Sequence, residues 1–309
     1  VRYISHVSHH PATENQNRLQ WQSKLLVGII IPLALFTSYC TTNSFRAAWS
    51  HPQPAYFFLP IFCVIFAAFV ALTRSATLPA AITGGLFCYN LTTITQSKIS
   101  LPLQSCLPAL VVLFLLTFAA TRWRRNQKLS LGLAESSHGR ATSQVVANLG
   151  VACGGILILL AFIVSLLSSS LFQTHFIQML VSIMLSSHLA ALAEATADTL
   201  SSEIGQAIGG RTWMLTTFRP VAVGIDGGVS LLGTLAGLTG AALVTLTGAL
   251  AMHLPPRTAL LAFVGAAFGL FFDSLLGATL ERRGLINNDV VNFLSTLAAA
   301  LFAAALLML

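Results

Sequence analysis

The sequence predicts an all-α fold, a polytopic transmembrane helix bundle of about nine spans. Of 309 residues, 55% are hydrophobic and only 8% charged, where a soluble domain carries roughly a quarter charged. Apolar stretches long enough to cross a ~30 Å hydrocarbon core recur along the chain. The basic residues fall in the gaps between those stretches.

In order, the stretches run over 25–42, 55–72, 76–95, 101–121, 145–171, 174–200, 227–251, 257–280 and 290–309. Residues 1–24 precede them as a polar tail with His6, His9 and His10, expected to be disordered and cytoplasmic. No small-residue cleavage site follows, so the tail does not read as a signal peptide. Residues 25–309 then form a single membrane domain. The third stretch is the most polar, with Asn90 and several threonines, and Gln144 with Asn148 opens the fifth.

If the 122–144 loop is cytoplasmic, thirteen Lys and Arg fall on its side of the membrane and three, Arg46, Lys98 and Arg257, on the other. The positive-inside rule then places the N-terminus inside and, with an odd number of spans, the C-terminus outside. Expected localisation is a bacterial-type cytoplasmic (inner) membrane. The net charge of +7 orients the chain and does not imply nucleic acid, because the cations are not gathered on one face. Five single cysteines without a C-x-x-C pair suggest packing, neither disulfides nor zinc. Glycines four apart, at Gly150 and Gly154, Gly233 and Gly237, and Gly265 and Gly269, are expected to let helix backbones meet closely.

The nine carboxylates are Glu14, Glu135, Glu194, Asp198, Glu203, Asp226, Asp273, Glu281 and Asp289, seven of them between 194 and 289. A charge within a span costs several kcal/mol unless paired, hydrated or metal-bound, so Glu194, Asp198 and Asp273 point to function. At ~1.5 Å per residue Asp198 lies about 3 Å below the cytoplasmic boundary, Glu194 about 9 Å and Asp273 about 10 Å. Asp226 and Asp289 lie in loops on that same side. Hard oxygen ligands grouped in this way suit Mg²⁺, which takes one or two carboxylates and completes its shell with water and substrate phosphates. The competing structural role for Glu194 and Asp198 is pairing with Arg211, Arg219, Arg282 or Arg283 to orient helices. Glu281, beside two arginines, and Glu135 read as structural.

Gly224 to Ser230 leads into the seventh stretch. Its paired glycines, Gly227 and Gly228, are expected to leave backbone N–H groups free at a helix N-terminus, an arrangement that binds phosphate. Arg211 and Arg219 stand nearby as cations to meet one. No Walker A or kinase-type glycine loop is present.

Thr196 to Gly205, Gly224 to Ser230, Gly139-Arg140 with Gln144 to Asn148, Phe272 to Thr279, Arg282 to Gly284 and Asn287 to Phe293 resemble, in sequence and order, the transmembrane protein 19 family, which includes plant phytyl-phosphate kinase. The resemblance covers about residue 60 to the C-terminus. It implies transfer of a phosphoryl group from a CTP-like nucleoside triphosphate to an isoprenoid monophosphate such as phytyl or geranylgeranyl phosphate. On that expectation Asp198 and Asp273, with Asp226, hold Mg²⁺, while Gly227, Gly228 and Ser230 cradle phosphate and Arg211 and Arg219 offset its charge. Glu203, Asp289, Asn148, Asn292 and Glu194 orient metal or substrate. An ion-coupled transporter and a CDP-lipid-forming nucleotidyltransferase are the alternatives. The first would show polar groups facing both sides, and the second would release pyrophosphate.

Overall fold

The protein is seen in a computed structural model that describes residues 18–47, 55–96, 103–133, 139–154 and 174–309. Glu14, Glu135, the tail histidines and the second half of the fifth apolar stretch lie outside the described residues.

Helices carry the architecture: α1 (Gln20–Ala47), α2 (Ala55–Leu72), α3 (Leu78–Thr95), α4 (Leu107–Arg122), the short α5 (Arg125–Ser130), α6 (Thr142–Cys153), α7 (Thr174–Ile208), α8 (Leu231–Met252), α9 (Pro256–Leu276) and α10 (Asn288–Met308). Among the described residues five helical segments are long and apolar enough to cross a membrane: Gln20–Asn43, Gln178–Ile208, Leu231–Met252, Pro256–Glu281 and Asn288–Met308. The first begins inside the stretch expected as tail, because Trp21 to Lys24 already belong to α1.

Local chemistry sets the helix starts. Pro79, Pro108 and Pro256 sit in the first turns of α3, α4 and α9, where a missing N–H leaves no bond unmade. Ser230 and Asn287 cap α8 and α10 by accepting from Gly233 N and Val290 N.

The 35-residue α7 is the central post and packs against α4, α6, α8, α9 and α10. Its segment from Leu189 to Ala197 is almost wholly buried. Two of the three expected glycine pairs, Gly233 with Gly237 and Gly265 with Gly269, bring backbones together. A Cβ on Gly237 would stand 2.5 Å from the Ala197 carbonyl, and one on Gly265 would stand 2.7 Å from that of Ala299. At Gly150 and Gly154 the space is taken by the Ile30 side chain of α1. Four of the five cysteines are buried and all are free. Outward, α2 exposes Phe58, Ile61, Val64, Ile65 and Leu72, a surface suited to hydrocarbon surroundings.

One feature was not expected. Between α7 and α8 the chain forms a small antiparallel sheet in which β1 (Thr212–Met214) lies between β2 (Pro220–Val221) and β3 (Gly228–Ser230). Thr212 pairs with Val221 on one side and Ser230 on the other. After α9 the helix widens into a π-helical turn, Gly277–Glu281.

Candidate functional site

A cavity of about 440 Å³ opens where α7 and α9 end and α10 begins. Asp198 enters it from α7, Asp273 from α9, Asp226 from the loop before β3, and Glu281 from the π-helical turn. Asn148 of α6 and Asn292 of α10 join across it, with Asn292 Nδ2 donating to Asn148 Oδ1 at 3.2 Å. Asp198 and Asp273, placed on separate helices by the sequence, therefore share one chamber, and Arg140 acts electrostatically on Asp198.

Polarity is concentrated here because the surrounding helices have little other use for it. Asp273 Oδ2 and Glu281 Oε1 are buried atoms with no hydrogen-bond partner among the described residues. A buried acceptor left unpaired is costly, and a donor or a cation in the chamber would satisfy these two. Among the described residues no three His, Cys, Asp or Glu side chains are grouped closely enough to cage a metal alone. The arrangement fits an ion that draws most of its ligands from water and substrate.

Glu194 lies one turn deeper on α7 and is buried outside the cavity lining, with Oε1 unpaired. Gly269 makes room for it, since a Cβ there would stand 2.5 Å from Glu194 Cγ. Ser295 faces both Glu194 and Asp273. At the mouth Asp226 is exposed to solvent on one side. Partial desolvation by the loop still raises its pKa above the ordinary carboxylate value, and the charge of Arg282 opposes that rise.

Several sequence expectations change. Gly227 and Gly228 line the cavity but are not the first residues of a helix: Gly228 opens β3, its N–H donates to Ile225 O at 2.9 Å, and α8 starts only at Leu231. Gly227 has φ +74°, and a Cβ there would meet Ala278 N at 2.3 Å, so close packing of the loop on the π-helical turn demands glycine. Ser230 lines the cavity while its hydroxyl caps α8. Arg211 and Arg219 are exposed just before β1 and β2 and do not line the cavity.

Asp289 also stays out of the cavity. It lines a neighbouring groove and accepts from Ser23. Glu203 reaches the cavity edge but is tied in an ion pair with the buried Lys128, whose ammonium also donates to Ala120 O at 3.0 Å and Thr121 O at 2.9 Å. That pair ties the ends of α4 and α7 together. Sequence reasoning missed Arg140 as a site residue and placed Glu281 with its neighbouring arginines. Arg140 stands within the family-like segment Gly139-Arg140, and Glu281 lies between two such segments, Phe272 to Thr279 and Arg282 to Gly284, which was the available signal.

An apolar helical chain whose acid groups converge on one chamber at the ends of its helices is an integral membrane protein with a polar site. Residues 61–300 match the family described as integral membrane protein DUF92, and the chain belongs to it. It is 39% identical over 110 residues to an uncharacterized membrane protein of Methanocaldococcus jannaschii, covering 36% of this chain and 46% of that one. It is 29% identical over 186 residues to the chloroplastic protein VTE6 of Arabidopsis thaliana, covering 59% and 52%. An uncharacterized membrane protein of Synechocystis is 32% identical over 124 residues, covering 38% and 45%. The matches span about half the length of these curated relatives. No solved structure matches the chain.

Proposed function

We propose that this chain is a prenyl-phosphate kinase of the inner membrane. It transfers the terminal phosphoryl group of a CTP-like nucleoside triphosphate to an isoprenoid monophosphate such as phytyl or geranylgeranyl phosphate. An oxygen of the lipid phosphate bonds to the γ-phosphorus, the bond from that phosphorus to the β-bridging oxygen breaks, and a nucleoside diphosphate leaves. The acceptor is already an anion, so catalysis is mostly positioning and charge neutralisation and needs little general-base work.

The observation that carries this reading is the convergence of Asp198, Asp273, Asp226 and Glu281 on one chamber with unpaired carboxylate oxygens. The resemblance to a family that includes a phosphate-transferring lipid enzyme gives the chamber its chemistry. Asp198 and Asp273 would hold Mg²⁺, which when bound supplies charge neutralisation for the nucleotide's phosphates. Asn148 and Asn292 orient the lipid phosphate, Arg140 offsets its charge, and Glu194 sets the floor beneath Asp198. The chain would cross the membrane nine times with its N-terminus inside and C-terminus outside, putting the chamber at the cytoplasmic face.

The test is an assay of purified protein with geranylgeranyl phosphate, Mg²⁺ and labelled nucleotides. Prenyl diphosphate with a nucleoside diphosphate is the expected product pair. Release of pyrophosphate would assign a nucleotidyltransferase instead. Failure to form any product with every nucleotide, together with lipid flux in proteoliposomes, would assign a carrier. Reporter fusions at both ends check the topology.

A further inference from the structure

A second cavity of about 450 Å³ lies on the other side of α6. Its walls come from α2, α3, α4 and α6, and its chemistry changes from one end to the other. The inner part is apolar and aromatic. Phe66 meets Phe114 edge-on with ring centres 5.1 Å apart, and Phe118 tilts against Phe114 at 5.6 Å.

The outer part is cationic. Arg74 follows α2, Arg122 ends α4, Arg125 opens α5, and Arg140 precedes α6, and all four line the cavity. No carboxylate lines it among the described residues. Arg122 is fixed at the join of the two parts, donating to Thr73 O at 2.6 Å with its guanidinium carbon 3.7 Å from the Phe118 ring centre.

α6 is the partition between the chambers. Val145 and Leu149 face the aromatic slot, while Gln144 and Asn148 face the acidic cavity. Arg140, just before that helix, lines both. An anion on the arginines would therefore sit beside the chamber that holds Asp198 and Asp273.

We propose that this slot binds a single-chain lipid phosphate, its tail on the phenylalanines and its phosphate on the arginine collar, and that the lipid is the isoprenoid monophosphate acceptor. The last clause rests on the kinase function proposed for the acidic cavity. The volume falls within the roughly 300–1,000 Å³ of small-molecule pockets, and guanidinium groups are the side chains best shaped for phosphate. A tail that leaves bilayer hydrocarbon for an apolar slot gains little from the hydrophobic effect, since both surroundings are apolar. Selection therefore comes from packing against the rings and from the charged head.

Gly84 supplies the steric probe. It lines the slot on α3, and a Cβ built on it meets no atom within 4 Å, so a larger side chain can start there without a clash at its Cβ. The full chain, purified in detergent, is irradiated with a geranylgeranyl phosphate analogue carrying a diazirine at its tail end, and the labelled peptides are identified. Label is expected in the peptides containing Phe66, Gly84 or Phe114, and Gly84→Phe is expected to reduce it by about ten-fold or more. Geranylgeranyl phosphate should compete at least about ten-fold better than geranylgeraniol, and Arg74→Gln with Arg125→Gln should remove most of that advantage.

Label confined to α8, α9 or α10, or undiminished in Gly84→Phe, overturns the proposal. Lysophosphatidate competing as well as the prenyl phosphate overturns the assignment to the acceptor. The wild-type label map decides the location even if Gly84→Phe does not fold. A labelled slot in protein that forms no diphosphate rejects the kinase and keeps the site. Diphosphate formed while label maps elsewhere rejects the site and keeps the kinase.

Discussion

Ser23 donates its hydroxyl to the Asp289 carboxylate at 2.5 Å, joining the first turns of α1 and α10. Asn287 completes the seam. Its side chain donates to Leu19 O at 3.0 Å and Ser23 Oγ at 2.9 Å, and its N–H reaches Gln22 Oε1 at 2.9 Å. α1 lies outside the residues that match the family, yet this seam fastens it to them.

Asn287→Ala leaves buried acceptors unpaired and removes the cap on α10, and is expected to destabilise the fold by about 2–3 kcal/mol. Thermal unfolding in detergent and faster proteolysis within α1 would report it. Asp289→Asn, which keeps an oxygen for Ser23 and lies outside the acidic cavity, should stay within about three-fold of wild-type turnover.

Lys128 is 1% exposed and Glu203 15%, so removing one partner strands a buried charge. Lys128→Met is expected to cost about 3–5 kcal/mol, whereas Lys128→Met with Glu203→Gln recovers most of that loss. Denaturant midpoints of the single and double variants check the cycle. A Glu203→Gln variant that is stable yet inactive would make the glutamate catalytic.

Asp198→Asn and Asp273→Asn each keep the side-chain shape and remove a negative charge from the chamber. Diphosphate formation is expected to fall by about 100-fold or more in each, with little change in unfolding temperature. Glu281→Gln should lose less, because the other acids remain. Full turnover in both aspartate variants would remove the metal-holding role.

Gly227→Ala forces a side chain into φ +74° and onto Ala278 N, and is expected to lower stability by about 1–3 kcal/mol. Ala278→Gly does not rescue it, since the nearest atom belongs to the backbone. Recovered stability in that double variant would show that the loop is held by something other than this contact.

The carboxylates on α7 and α9 were legible because charge in an apolar helix is expensive, and the glycine pairs because their spacing marks helix contact. That Asp289 lines the groove beside the chamber was not legible, for a physical reason: an acidic residue in the first turn of a helix looks the same whether it meets a ligand or a neighbouring serine. Glu281 was hidden because, next to Arg282 and Arg283 in the sequence, it reads as their partner, whereas it ends the π-helical turn and lines the chamber. Lys128 belongs to a basic run that reads as solvated, and only the packing shows its ammonium closing the carbonyl end of α4. The short sheet escaped because strands of two or three residues carry no periodic signal.

α6 serves two rooms at once, and that limits how its sequence can drift. One residue inserted between Arg140 and Gln144 would turn everything after it by about 100°, rotating Asn148 off the acids and Leu149 off the aromatic rings together. Four inserted residues would nearly restore the angle but displace both by about 6 Å along the axis. The helix therefore tolerates exchange of side chains far better than any change in its length.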